Sequence, residues 1–200
     1  MVDPFAYPEG ATPIDPNERE GLKHKHITTR AELDHLEQAN IEEGLRWLSR
    51  ARNIDVLDIS FLMTLHKQLF GEVWKWAGQF RTTGKNIGVE PSQIAIELRN
   101  LLDDVPYWIE NETYPSLEIA IRFHHRLVKI HLFPNGNGRH ARIATDLLTS
   151  RVLDAGAIDW AAGYDLQQFS DRRSEYIAAL RAADGHDYGP LFSFANYDHE

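Results

Sequence analysis

The twelve residues "HLFPNGNGRHAR", positions 131–142, gather side chains whose types and spacing suit phosphate chemistry. Gly136 and Gly138 allow positive φ and a close approach of main-chain N–H groups to a ligand. Such N–H groups, continued by the unpaired donors of a following helix, form an anion-binding nest. Arg139 and Arg142 are three apart, so they share one face of that helix's first turn. Cations there are unfavourable by about 0.3–1 kcal/mol each unless an anion compensates them. Guanidinium forks match phosphate oxygens, which points to a di- or triphosphate. His131, across the loop, has an ordinary pKa near neutrality and stands where it could take a proton from an attacking hydroxyl. Its bland alternative is a core or helix-capping histidine.

Other readings of the same letters are weaker. "GNGRHA" fits the loose dinucleotide pattern G-x-G-x-x-A, but the preceding segment has helical rather than strand periodicity. No P-loop sequence occurs. His124, His125, His131 and His140 lack metal-ligand spacing, and His124 falls on an apolar stripe as a core residue would.

These residues need a frame. The chain has 200 residues, 42% hydrophobic and 26% charged, which suits one soluble domain. A formal net charge of −9 argues against general nucleic-acid binding but not against one small basic pocket. There is no cysteine, hence no disulfide or thiolate zinc site. The start "MVDPFAYPEG" lacks signal-peptide features and no apolar run is long enough for a membrane span, so a cytoplasmic location is the expectation.

Residues 1–27 hold four of the nine prolines and read as an extended arm; residues 28–200 read as a single domain. Thr29 and Glu32 form a capping box that opens a helix carrying Leu33, Leu36, Ile41, Leu45 and Leu48. Val56, Ile59, Leu62, His66 and Leu69 mark a second helix. Alternation around "FRTTGKNIGV" predicts a short β-hairpin. Ser92 is expected to cap a third helix that Pro106 ends or kinks. Ser116 starts a fourth, a fifth runs from the glycine loop to Gly156, and "DRRSEYIAALRAAD" forms a sixth. The fold class is mainly α with one hairpin.

The stretch also resembles the signature of the Fic (Fido) family, H-x-F-x-[D/E]-G-N-G-R-x-x-R, through His131, Phe133, Gly136, Asn137, Gly138, Arg139 and Arg142. "FGEVWKWAGQFRTT" and "ALRAADGHDYGPLFSF" extend the resemblance to roughly residues 30–195. "ITTRAELDHLEQANI" and "PNGNGRHAR" are similar to the subgroup called mobile mystery protein B. The resemblance implies a Fic-type helical bundle that transfers AMP from ATP, with Mg²⁺, to a Ser, Thr or Tyr hydroxyl of a target protein. It makes His131 the general base, and assigns the phosphates to Gly136, Asn137, Gly138, Arg139 and Arg142. The hairpin residues Thr82, Thr83, Gly84, Lys85, Asn86, Ile87 and Gly88 become a flap that registers an extended target segment.

Asn135 stands where the family has the acid that holds Mg²⁺, and a neutral amide binds that ion more weakly. The departure leaves open a weaker enzyme, a different phosphate donor or orientation, and a nucleotide-binding module without turnover. Kinase activity like that of the Doc toxin and a metal hydrolase are further alternatives. "ANIEEG" at 39–44 resembles the family's inhibitory motif, but Ala39 replaces its hydroxyl residue and Glu43 fits a solvated helix face better. The subgroup resemblance implies instead a separate, antitoxin-like regulator.

Overall fold

A computed structural model describes residues 13–156, 158–160 and 170–195. Their main elements are helices: α1 (Pro16–Arg19), α2 (Arg30–Arg50), α3 (Ile59–Phe70), α4 (Ile94–Glu110), α5 (Ser116–Ile130), α6 (Asn137–Leu148), α7 (Asp171–Asp184) and α8 (Gly189–Phe194). The predicted mainly α fold is therefore observed.

Local rules account for many boundaries. Thr29 caps α2 through the Glu32 N–H, and Glu32 returns to the Thr29 N–H, closing the capping box. Asp58 and Ser170 cap α3 and α7 in the same manner. Ser92 does not cap α4; it lies in a 3₁₀ turn, Pro91–Gln93, that leads into the helix. Nor does Pro106 end α4, which continues to Glu110. Burial of Leu98, Leu101, Leu102 and Val105 supplies apolar stabilisation against the roughly 3 kcal/mol that an interior proline costs. After α6 the chain passes through a π turn, Thr149–Leu153, and stops at Asp154 in left-handed conformation, before Gly156.

The core is built by α2 to α6, with Leu33, Leu62, Leu65, Leu69, Phe70, Leu98, Leu101, Phe123 and Phe133 inside. A second cluster joins α5 to α7 and α8 through Ile121, Tyr176, Ala179, Leu191 and Phe194. Helix α5 belongs to both, so its C-terminal end is held from two sides. The arm is not purely extended. From residue 13 onward it contains α1, buries Ile14, Leu22 and Ile27 in the main core, and pairs Leu22 with Trp74 in an isolated antiparallel bridge. Residues 1–12 lie outside the described part.

The paired hairpin expected over residues 80–90 is not formed as a β ladder. The Arg81 N–H donates to Leu132 O (2.9 Å) and the Val89 N–H to Ile130 O (3.4 Å), so both arms turn to the α5–α6 connection instead of to each other. The buried Arg81 guanidinium occupies the space between them, donating to Thr83 O (2.9 Å) and to Val89 O. One cation thus replaces the cross-strand bonds, which the alternation of residue types could not reveal.

Candidate active site

Helix α5 delivers His131. Its φ of 57° puts it in left-handed conformation at the C-cap, where its N–H reaches Leu127 O. The strained backbone is fixed from the other side by Arg81 Nε, which donates to His131 O at 2.6 Å. The side chain is buried, and among the described residues neither ring nitrogen has a hydrogen-bond partner. Burial, followed by the positive charges of Arg81 and Lys85, lowers its pKa to about 3. A polar contact with the Val128 backbone opposes that shift without reaching hydrogen-bond geometry. The result is a neutral imidazole whose lone pair and N–H are both unspent; burial lowers its basicity while leaving it unprotonated and open to a hydroxyl.

The glycine loop is held from below by a second histidine. His66, fully buried in α3, accepts the Gly78 N–H on Nδ1 (3.0 Å), which leaves Nε2 to donate to Asn135 O (3.0 Å). Its ring stacks on Phe133 with centroids 3.7 Å apart, so the buried Phe133 anchors the loop in the core. Gly136, at φ 79°, passes over Phe70, and an added Cβ would lie 2.7 Å from that ring. Gly136→Ala is therefore expected to destabilise the protein by about 2 kcal/mol or more, since left-handed strain alone costs 1–3 kcal/mol. Urea denaturation checks this; an unchanged midpoint would contradict the packing described.

Helix α6 starts at Asn137 without a side-chain cap. Its first N–H groups, those of Asn137, Gly138 and Arg139, have no acceptor within the helix by geometry. The Asn137 side chain turns back into the loop. Its amide donates to Phe133 O (2.7 Å) and accepts from the Phe133 N–H (2.9 Å), stapling the loop and leaving its main-chain N–H for an anion.

The two arginines also differ. Arg142 leans over the Tyr176 ring at 5.6 Å. Arg139 is paired at 2.7 Å with Glu37, a buried carboxylate of α2 that also accepts from the Trp74 indole (2.8 Å). Glu37 was not singled out from the sequence, although its position four residues from both Leu33 and Ile41 puts it on the buried stripe. Glu43 is exposed and faces Arg46 instead, at 3.9 Å.

Asn135 turns its Oδ1 to the Gly136 N–H (2.7 Å), with Arg139 at 3.5 Å. Among the described residues no group of three or more His, Cys, Asp or Glu could hold a metal. One neutral oxygen, already engaged and beside a guanidinium, does not make a magnesium site. The described residues therefore do not fit a protein-held ion.

His131, Asn135, Gly136, Asn137, Gly138, Arg139 and Arg142 all line one cavity of about 460 Å³. Asn86, Ile87 and Gly88 of the 80–90 loop form part of its wall, and Thr82, Thr83, Gly84 and Lys85 do not. Helix α7 adds Arg173, Tyr176, Ile177 and Leu180, which sequence reasoning missed because nothing local in α7 signals proximity to residue 131.

A profile of the Fic/DOC family matches residues 56–149, the segment that contains His66, the 80–90 loop, His131 and the glycine loop. Residues 56–149 of the chain thus carry a Fic/DOC segment. A protein adenylyltransferase, Fic-1, of Caenorhabditis elegans is 27% identical over 176 residues, covering 82% of this chain and 31% of that protein. A protein adenylyltransferase Fic of Drosophila mojavensis is 30% identical over 142 residues, or 66% of this chain and 26% of its own length. The chain thus spans about a third of the length of the curated relatives it matches. In structure, Caenorhabditis elegans Fic-1 superposes with a TM-score of 0.61 at 25% identity, covering 82% of this chain and 47% of that one. The Bartonella tribocorum effector BepC, solved with AMPPNP, gives 0.68 at 18% identity, covering 92% and 99%. The second likeness establishes the Fic fold and nothing finer.

Proposed function

We propose that this protein is a protein adenylyltransferase, with ATP as donor and a Ser, Thr or Tyr hydroxyl of a target protein as acceptor. The observation that carries the reading is a neutral His131, its ring nitrogens without a hydrogen-bond partner among the described residues, on the same cavity wall as the open N-terminus of α6 and Arg142. In the reaction His131 takes the hydroxyl proton, the oxygen bonds to the α-phosphorus, and the bond to pyrophosphate breaks. The α6 N–H groups and Arg142 balance the charge gathering on that leaving group. Arg139, half neutralised by Glu37, fixes the loop more than it adds positive charge. The names of the relatives and the AMPPNP in BepC support the reading.

Magnesium, in this account, arrives bound to the nucleotide. The loop of residues 82–88 serves as the flap, pairing with an extended target segment. A cytoplasmic protein controlled by a separate antitoxin-like partner is consistent with a chain whose described Glu43 does not reach the arginines.

Incubation with ATP labelled on the α-phosphate and a protein lysate is expected to label protein. Label arriving only from the γ-phosphate would make the protein a kinase. A second reading, nucleotide binding without turnover, is favoured by the engaged Asn135 amide. It predicts ATP binding without transfer, and transfer that appears in Asn135→Asp. On the adenylyltransferase reading Asn135→Asp raises a rate already present, by about tenfold, the worth of one charge-assisted contact of roughly 1.4 kcal/mol.

A further inference from the structure

The loop between Arg81 and Val89 has no core of its own. Thr82, Gly84, Asn86, Ile87 and Gly88 are exposed, and a Cβ added at Gly84 would meet nothing within 4 Å. Two charged residues hold it. At its base Arg81 bonds to the His131, Thr83 and Val89 carbonyls. At its tip Lys85 leaves the loop and buries its side chain, only 3% exposed, against the arm. There its ammonium contacts Asp15 (2.9 Å), Glu18 (2.5 Å) and Pro13 O (3.2 Å). Glu18 also accepts from Thr83 Oγ1 (2.7 Å) and from the Asp15 N–H (2.9 Å). Its own main chain is fixed by the Trp76 indole, which donates to Glu18 O at 3.0 Å.

A buried ammonium is costly unless it is paired. Removing one partner therefore penalises every loop position that keeps Lys85 inside. These contacts join residues 65 to 72 positions apart in sequence, and they restrain a loop that apolar packing does not.

We infer that Asp15 and Glu18 are positioning residues for target recognition: the acidic turn of the arm latches the Lys85 tip and so presets the main-chain edge that receives the target. The inference rests on the flap role assigned above. Arg81 links the opposite end of the same loop to His131, so the latch sets the edge relative to the base. Asp15, Glu18 and Lys85 themselves do not line the cavity.

Hydrogen exchange in the full-length chain tests the latch without relying on activity. The amides of Arg81 and Val89, which bond to Leu132 O and Ile130 O at the two ends of the loop, are expected to exchange at least tenfold faster in Asp15→Asn/Glu18→Gln. Lys85→Met, which removes the buried charge and keeps its volume, is expected to give the same increase and to fold even if the double variant does not. Combining all three substitutions should add nothing further, because coupled residues are non-additive. ATP affinity, read by calorimetry, is expected to stay unchanged in Asp15→Asn/Glu18→Gln, while α-label transfer to lysate protein at saturating ATP falls several-fold. Unchanged exchange in both variants, additive effects, or increased transfer would overturn the proposal. If the wild type labels nothing, the adenylyltransferase reading fails, and the exchange result still decides the latch.

Discussion

His131→Asn is expected to lower kcat/KM for AMP transfer by about 10²–10⁴-fold, the usual contribution of a positioned general base, with ATP affinity unchanged. Asparagine is the sharper substitution because it tolerates the left-handed backbone at φ 57°, whereas alanine would add strain to the loss of the base. No hydrogen bond to the ring is broken, since its nitrogens have none among the described residues. The Arg81 bond to the main-chain carbonyl survives. A normal melting temperature with lost transfer assigns the effect to chemistry. The wild type has a further signature. A base must be neutral to act, and His131 is neutral above about 3. Its kcat/KM is therefore expected to show no acid limb from this residue between about pH 5 and 8, where an ordinary histidine titrates. A limb near 6.5 that His131→Asn removes would show that the ring is more solvated than the structure makes it.

The second large effect is on stability. His66, His124, His131 and His140 are all buried, and burial is the first cause of every shift: to about 3 for His124 and His131, about 4 for His140, and well below 6.5 for His66. Folded values below the unfolded one mean that the unfolded chain binds more protons as pH falls. Stability is then fully present above about 6.5 and is lost progressively below it. One unit below, each group costs about 1.4 kcal/mol, and four cost about 5–6 kcal/mol. That is comparable with the whole stability of a small domain, about 5–15 kcal/mol. Urea midpoints measured from neutral pH down to about 5.5 should fall steeply, and His140→Gln should flatten the slope by close to one proton. A flat profile would contradict neutral burial of these rings.

What was legible in the sequence was local or periodic. Capping at Thr29 and the stripes of α3 and α5 depend on residues within one or two turns, and the glycine loop announces itself in twelve consecutive positions. Illegible parts are the ones made by distant single contacts. Arg81 looks like the polar member of an alternating strand, yet its guanidinium replaces the ladder the alternation predicts. Lys85 looks like an exposed turn lysine, yet it is buried against Asp15 and Glu18. Glu37 had a usable signal, an acid on an apolar stripe, but no local feature names Arg139, 102 residues away, as its partner. Asn137 is the reverse case: a motif position that the resemblance gives to the ligand, whose side chain also staples the loop to Phe133.

The central claim is that His131 and the N-terminus of α6 face two ends of one nucleotide phosphate chain. A crystal structure of the protein with a non-hydrolysable ATP analogue and Mg²⁺ tests it most directly. The account predicts the β- and γ-phosphates on the N–H groups of Gly138 and Arg139 and on Arg142, the α-phosphorus open toward His131, and no protein carboxylate on the metal. A nucleotide seated with its γ-phosphate against His131, or bound outside the cavity, would contradict it.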